Sequence, residues 1–342
     1  MSWPTVELGE ICKPKQWKTL SKKELLPEGY PVYGANGQIG YYNKSTHDRP
    51  TLLVGCRGSC GSIHIMPAKG YANGNAMALG ELREDVVSLN YLARFLKKRG
   101  FADVITGTSQ PQIIKSTISA IEIPLPPLEE QRRIAGILDA ADALRRRRRE
   151  ALALLDTLPG AIFAEMFGNS DEIPEVPLHD LCRPKQWKTI KGTDLTASGY
   201  PVYGANGKIG FYSTYNHENP TVLITCRGAT CGTINICEPK SYVTGNAMAL
   251  DDPDESRIGL QFLAHALRVR GVNDAITGTA QPQITRQSLT AVSIKVPEKS
   301  KQLVFERSLN GIEEQRVRLQ DQLQELETLF ASLQSRAFAG EL

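Results

Sequence analysis

Long hydrophobic runs are missing from this chain of 342 residues. No apolar stretch approaches the ~20 residues needed to cross a bilayer. The opening MSWPTVELGE also lacks the basic-then-apolar order of an export signal. Both absences point to a cytoplasmic protein. Cysteine is sparse, and its count of seven is odd, so reduced thiols are expected rather than a disulfide framework. Cys56 and Cys60 have counterparts at Cys226 and Cys231, but the spacing differs and no CxxC or paired-His motif supplies further zinc ligands. Small side chains buried in strands account for them better. The catalytic signatures are absent too: no GxSxG elbow, no HExxH helix, no deaminase-type metal motif. GANGKIG (204–210) fails the GxxxxGK[ST] spacing of a phosphate loop, and the matching segment has Gln38 where this one has Lys208. Histidine numbers only five, and His47 and His217 lie in polar loops without a partnered Cys or acid motif. A self-sufficient enzyme is therefore not expected.

What the chain does have is a text written twice, about 170 residues apart. CKPKQWKT (12–19) returns as CRPKQWKT (182–189), and GYPVYGANGQIGYY (29–42) as GYPVYGANGKIGFY (199–212). GNAMAL (74–79) returns at 245–250, and ITGTSQPQI (105–113) as ITGTAQPQI (276–284). A long-period duplication means two copies of one domain, each of roughly 120 residues and long enough to bury its own core. With 41% hydrophobic and 23% charged residues, the composition is that of a globular protein. A net charge of +3 neither demands nor excludes a nucleic acid.

Within each copy, TLLVGC (51–56), SIHIM (62–66), TVLITC (221–226) and TINIC (233–237) read as strands. SLNYLARFLKKRG (88–100) and IGLQFLAHALRVRG (258–271) read as helices with basic last turns and a glycine stop. The fold class is thus α+β, with two similar globular α/β domains alternating with two long helices that pair as an antiparallel coiled coil. The boundaries are 1–127, 128–168, 169–296 and 297–342. Heptad rows carry the helix prediction: Ile134, Ala141, Arg148, Leu155 and Ile162, with Ile137, Leu144, Ala151 and Leu158, in the first. Ile312, Leu319, Leu326 and Leu333, with Leu323, Phe330 and Ala337, form the second. Helices of ~30 residues would be ~45 Å long and would act as a spacer. Pro159 predicts a kink or an ending, and 168–177 reads as a linker. The run RRRRR (145–149) covers all sides of a helix, so Arg148 points into the seam and others face solvent or a partner.

The polar residues that recur suit DNA. Lys13, Lys15, Gln16, Trp17 and Lys18, matched by Arg183, Lys185, Gln186, Trp187 and Lys188, mix cations, an amide and an aromatic in a segment that reads as loop. Cations serve phosphates, Gln serves an adenine edge, and Trp serves stacking or buttressing. Arg57 and Arg227 follow a strand in CRG, placed either to read guanine or to pair with a carboxylate. Asn36 and Gln38, and Asn206 and Lys208, lie in a turn where they contact bases or where Asn supplies a positive φ. Thr106, Thr108 and Gln110, with Thr277, Thr279 and Gln281, offer hydroxyls and amides ahead of the last strand. Gly74–Asn75 and Gly245–Asn246 favour a turn or bulge.

Taken together, the two-copy plan with alternating helices, the junction IPLPPLEEQRRIAGILD (123–139), the end SLQSRAFAGEL (332–342), and the CRGxxG and TGTxQPxI segments resemble the specificity subunits of Type I restriction-modification systems. The resemblance covers essentially the whole chain. It implies a non-catalytic adaptor in which each copy is a target recognition domain for one half of a split double-stranded DNA sequence. It also implies two modification subunits that use S-adenosylmethionine to methylate adenine, docked at the PPLEEQRRIA junction through Glu129, Glu130, Gln131, Arg132 and Arg133. Restriction subunits using ATP and magnesium usually complete such complexes. No cofactor is expected in this chain itself, and no NPP[FY] or DPP[FY] methyltransferase motif occurs. One departure stands out: the second junction, VPEKSKQLVFERS (296–308), keeps only a trace of the first. Because the copies share nearly all their polar loop residues, they should read nearly the same half-site. A pseudo-twofold would make the target nearly palindromic, with halves ~10 bp apart. A duplicated protein-binding scaffold, or the specificity unit of a methylation-only or Type II-like system, are the alternatives.

Overall fold

The computed structural model describes residues 3–168, 172–205, 207–278 and 281–342. Residues 1–150 and 320–342 form one compact unit, and 151–319 form another. In the first, a four-stranded antiparallel sheet runs in the order Lys13–Gln16, Ala76–Gly80, Thr51–Gly55, Ile63–Met66. Thr51–Gly55 is buried along its whole length, as the apolar run Leu52, Leu53 and Val54 favours in a central strand. A second sheet orders Gly37–Tyr42, Tyr30–Gly34 and Tyr71–Ala72. Helix Leu89–Arg99 buries Tyr91, Leu92 and Leu96 and stops at Gly100, whose φ of 73° suits a residue without a Cβ. The copy is closed by Thr5–Glu7 pairing with Glu122–Pro124.

The second unit repeats these two sheets and the closing pair. Its large sheet is Arg183–Gln186, Ala247–Asp251, Val222–Thr225, Ile234–Ile236, and its small one Gly207–Tyr212, Tyr200–Gly204, Tyr242–Val243. Its helix is Leu260–Arg270.

The structure corrects two local expectations. The segment read as loop at 13–18 begins as an edge strand, Lys13–Gln16, with Pro14 buried and Lys13 and Lys15 exposed. Lys-Pro-Lys-Gln has little strand propensity, yet proline is tolerated on an edge, where its missing N–H faces no partner. The proposed linker 168–177 ends in strand Glu175–Pro177, paired with Ser293–Lys295 in the same way that Thr5–Glu7 is paired in the first copy.

The long helices run Leu128–Phe167 and Lys299–Ala339. Pro159 does not end the first. The helix continues for two further turns, and Thr157 Oγ1 donates to the Leu154 carbonyl at 2.7 Å in the turn ahead of the proline. In the first unit, Ile134 and Leu138 are fully buried in one core with Phe330 and Ala337. Arg133 donates to the Leu342 carbonyl at 2.7 Å, Arg145 lies 4.2 Å over the Phe330 ring, and Arg149 pairs with Glu327. As numbers rise on one helix they fall on the other, so the two run antiparallel there. Leu144, expected in the seam, is 51% exposed, because the stripe facing the globular core is Ile134, Ala135 and Leu138 rather than a strict heptad row. Of the arginine run, Arg148 is half-buried, Arg145 is packed inside, and Arg146 and Arg147 are exposed. In the second unit, Phe163 and Phe167 pack on Phe305 at ring-centre distances of 5.5 and 5.8 Å.

Candidate nucleic-acid interface

In each copy the CRG turn and the TGTxQPQI loop meet. The Ile113 amide donates to the Cys56 carbonyl at 3.0 Å, and Arg57 bridges to Gln112. Ile284, Cys226, Arg227 and Gln283 repeat the arrangement. Gly107, with φ of 86°, lets the loop fold so tightly that a Cβ would lie 2.7 Å from the Gln110 carbonyl oxygen. The hydroxyls of Thr106 and Thr277 accordingly close the loop, donating to the carbonyls of Gln112 and Gln283 at 3.3 and 3.2 Å. Thr108, Gln110 and Gln281 are exposed on it, whereas Thr279 and Asn206 lie outside the described residues.

Arg57 and Arg227 are exposed and have no carboxylate partner among the described residues. Of the two uses foreseen for them, the carboxylate pairing is absent and the guanidinium forks face outward. The glycine turn is carried by Gly37, with φ of 91°, and not by Asn36, so the Asn36 side chain is left exposed beside Gln38. The turn is anchored beside the CRG loop, because Ser62 Oγ donates to the Ala35 carbonyl. In the second copy Thr225 and Thr230 hydroxyls donate to Ala205 at 2.7 and 3.1 Å.

The edge strand lies alongside. Lys15 sits 4.1 Å over the Trp17 ring, and Lys185 sits 3.6 Å over Trp187. Each Trp is half-buried against its domain core, an arrangement that suits buttressing of the lysine over its ring. Gln16 and Gln186 are exposed along the same edge strand. Their amide nitrogens donate inward, to the Cys56 and Cys226 sulfurs at 2.9 and 3.0 Å and to the Gly74 and Gly245 carbonyls at 3.2 Å. Reading an adenine edge takes a donor and an acceptor together, and here the donor is already committed. Lys13 pairs with Glu81, as Arg183 pairs with Asp252, and Lys18 pairs with Glu24 at 3.2 Å. Lys188 is exposed. Lys208 pairs with Glu238 at 3.1 Å, holding that carboxyl below its ordinary range. Gly74 and Gly245 serve close approach, since a Cβ at either would lie 2.6 and 2.7 Å from the Trp17 and Trp187 carbonyl oxygens.

One matched pair was missed in the sequence. Lys115 closes a groove with Lys13, Lys15 and Gln16, and Arg286 closes its counterpart with Arg183, Lys185 and Gln186. The signal was available: a cation stands two residues after TGTxQPQI in both copies. Each copy therefore presents three cations along one edge, beside a loop surface carrying an unpaired arginine.

A family model described as the Type I restriction modification DNA specificity domain matches residues 1–153 and again 171–327. The chain belongs to that specificity family. Members are DNA-recognition components rather than catalysts. A putative type I restriction enzyme specificity subunit of Haemophilus influenzae is 25% identical over 294 residues, 78% of this chain and 76% of that protein. The EcoprrI specificity subunit of Escherichia coli is 27% identical over 143 residues, 40% of this chain but only 35% of that protein. In fold, the specificity subunit crystal structure from M. genitalium matches with a TM-score of 0.67 at 20% identity, covering 99% of this chain and 96% of that one. A chain from a study of type I complex assembly and conformational transition matches with a TM-score of 0.62 at 18% identity, covering 100% and 98%. No helix among the described residues of this specificity chain is long and apolar enough to cross a membrane.

The helix junctions of the specificity chain also match where they are buried. Gln131 is fully buried. It accepts from the Ser88 amide at 2.8 Å and donates to the Val86 and Pro126 carbonyls at 2.9 Å. Gln302 does the same with Gly259 at 2.9 Å and with Arg257 and Pro297 at 2.8 Å. Gln131, expected to dock a partner, is thus committed inside its own unit. Glu129 and Arg132 are exposed, and Glu130 and Arg133 form a bidentate pair at 2.7 Å. On the second junction Leu303 and Val304, 48% and 45% exposed, stand where the first has Arg132 and Arg133.

Proposed function

We propose that the chain directs a Type I restriction-modification complex to a bipartite double-stranded DNA target, each globular copy reading one half through its CRG turn, TGTxQPQI loop and basic edge strand. The carrying observation is that Arg57 and Arg227 lie exposed and unpaired among the described residues, at matched positions beside matched cation grooves. A guanidinium fork suits a guanine edge, while lysines and the arginine of the edge suit phosphates. The near-identity of the two surfaces supports near-identical half-sites; that the halves are inverted is part of the proposal. The exposed residues at the two helix starts dock the modification subunits, which bring S-adenosylmethionine; any restriction subunit brings ATP and magnesium. Charged residues at one start and apolar ones at the other support unequal docking.

The test is DNA binding by the chain assembled with its modification subunit. Arg57→Ala is expected to lower target affinity by about 1–3 kcal/mol and to relax one base position in a single half-site. Lys115→Ala is expected to weaken all sequences alike and to reduce the salt slope by about 0.9. Sequence-independent loss on Arg57→Ala would contradict the assignment of base reading to that residue.

A further inference from the structure

The two copies differ at one buried position whose consequence is chemical. In the second, Trp187 Nε1 donates to Asp251 Oδ2 at 3.1 Å, and His217 Nε2 meets Asp251 Oδ1 at 3.0 Å. The carboxylate is 8% exposed and sits between the two rings, whose centres are 5.2 Å apart. In the first copy the same ring pair is present, Trp17 edge-on to His47 with centres 5.5 Å apart. The residue matching Asp251 is Gly80, each pairing with the first residue of the edge strand, Lys13 or Arg183. Trp17 Nε1 is buried and has no hydrogen-bond partner among the described residues. A Cβ built at Gly80 meets nothing closer than His47 Nε2 and the Lys13 carbonyl oxygen, both at 3.7 Å.

The surrounding charge shifts in the same sense. The second copy sets Asp251 and Asp252 against Arg183, Lys185 and Arg286; the first sets Glu81 against Lys13, Lys15 and Lys115, and the acid that follows each histidine, Asp48 or Glu218, is common to both. Trp17, His47, Gly80 and these three lysines line one cavity of about 730 Å³. We propose that the first copy binds an oxyanion at Gly80, in the place that the Asp251 carboxylate takes in the second. The indole N–H donates to one oxygen, the imidazole edge faces another, and the lysines balance the charge. A water could accept from the indole but would leave the extra cation uncompensated. Free phosphate and a DNA backbone phosphate share this chemistry. The second source rests on the DNA-reading role above, whereas the first does not.

The three tryptophans, Trp3, Trp17 and Trp187, give three indole N–H signals in a nitrogen-15 spectrum of the full chain. Inorganic phosphate titrated at constant ionic strength is expected to move the Trp17 signal saturably while Trp187 stays in place. In Gly80→Asp the Trp17 signal should start displaced and no longer respond. A short duplex in phosphate-free buffer separates the sources. A Trp17 shift that phosphate competes away assigns the backbone, and a still Trp17 signal with a normal phosphate response assigns the free anion. Movement of Trp17 no greater than that of Trp187 in both titrations overturns the site. This comparison needs only the wild-type chain, should Gly80→Asp fail to fold. Loss of DNA binding with the phosphate response intact would count against the DNA role and not against the site.

Discussion

Lys208 shows how a single exchange between the copies acquires its own compensation. Where the first copy has Gln38 and Pro67, the second has Lys208 and Glu238, which pair at 3.1 Å, with the Tyr203 hydroxyl donating to the same carboxylate at 3.1 Å. The difference that looked like a change in base contact is therefore largely an internal ion pair on an exposed surface. Such pairs contribute about 0–1 kcal/mol to stability. Lys208→Gln is expected to leave the unfolding midpoint almost unchanged while exposing the Glu238 charge to DNA, so affinity for the second half-site falls without a change of preferred base. Binding measured against half-site variants checks this, and a switch of base preference would restore Lys208 to a reading role. The proposed site was legible in the sequence where a side chain recurs and is exposed, as Arg57 and Arg227 are. It was not legible where a recurring side chain is committed internally. Gln16 and Gln131 look like surface readers on the page, and only their geometry reveals the inward hydrogen bonds.

At the scale of elements, the duplication made the buried central strands, the short helices and the long helices readable, while their assembly into two sheets per copy is seen only in the structure. The edge strand at Lys13–Gln16 was hidden because its pairing with Ala76–Gly80 is a long-range fact that local propensity does not carry. The strand at Glu175–Pro177 was hidden in the same way inside a linker-like composition. The junctions show what was kept beneath divergent text: Gln131 and Gln302 each tie a helix start to the loop ahead of the short helix. Gln131→Ala and Gln302→Ala strand comparable buried groups, and each is expected to cost on the order of 3 kcal/mol. Urea unfolding should show the two losses to be similar; a negligible loss at position 302 would mean that the second junction is not held as the first is.

The short helices also meet their long partners by different chemistry. Arg94 pairs with Asp139 at 2.6 Å and Asp142 at 3.1 Å, while its counterpart His265 lies against Phe163 and Phe305, both with ring centres 5.0 Å away. Burial, with Arg268 adding to it, holds His265 below its ordinary 6.5. A histidine that resists its proton when folded loses stability as pH falls through the unfolded value. Acid is therefore expected to weaken the second unit from about pH 6.5 downward, and His265→Leu is expected to reduce that loss. Thermal unfolding followed between pH 7 and pH 5 tests it, and equal acid sensitivity in the variant would contradict it.

For the whole molecule, the doubled text has become a doubled surface: three cations, an outward arginine and a glycine-tightened loop in each copy. The copies also disagree in limited ways, at Gly80 and Asp251, at Gln38 and Lys208, and at the exposed faces of the helix starts. Those disagreements leave the outward arginines untouched, so two near-identical half-sites are the expected reading. The decisive measurement is the methylated motif, sequenced genome-wide in cells expressing this chain with its modification subunit. Two inverted half-sites, identical or differing at a single position and separated by a fixed spacer, are the expected result. Two unrelated half-sites would contradict it.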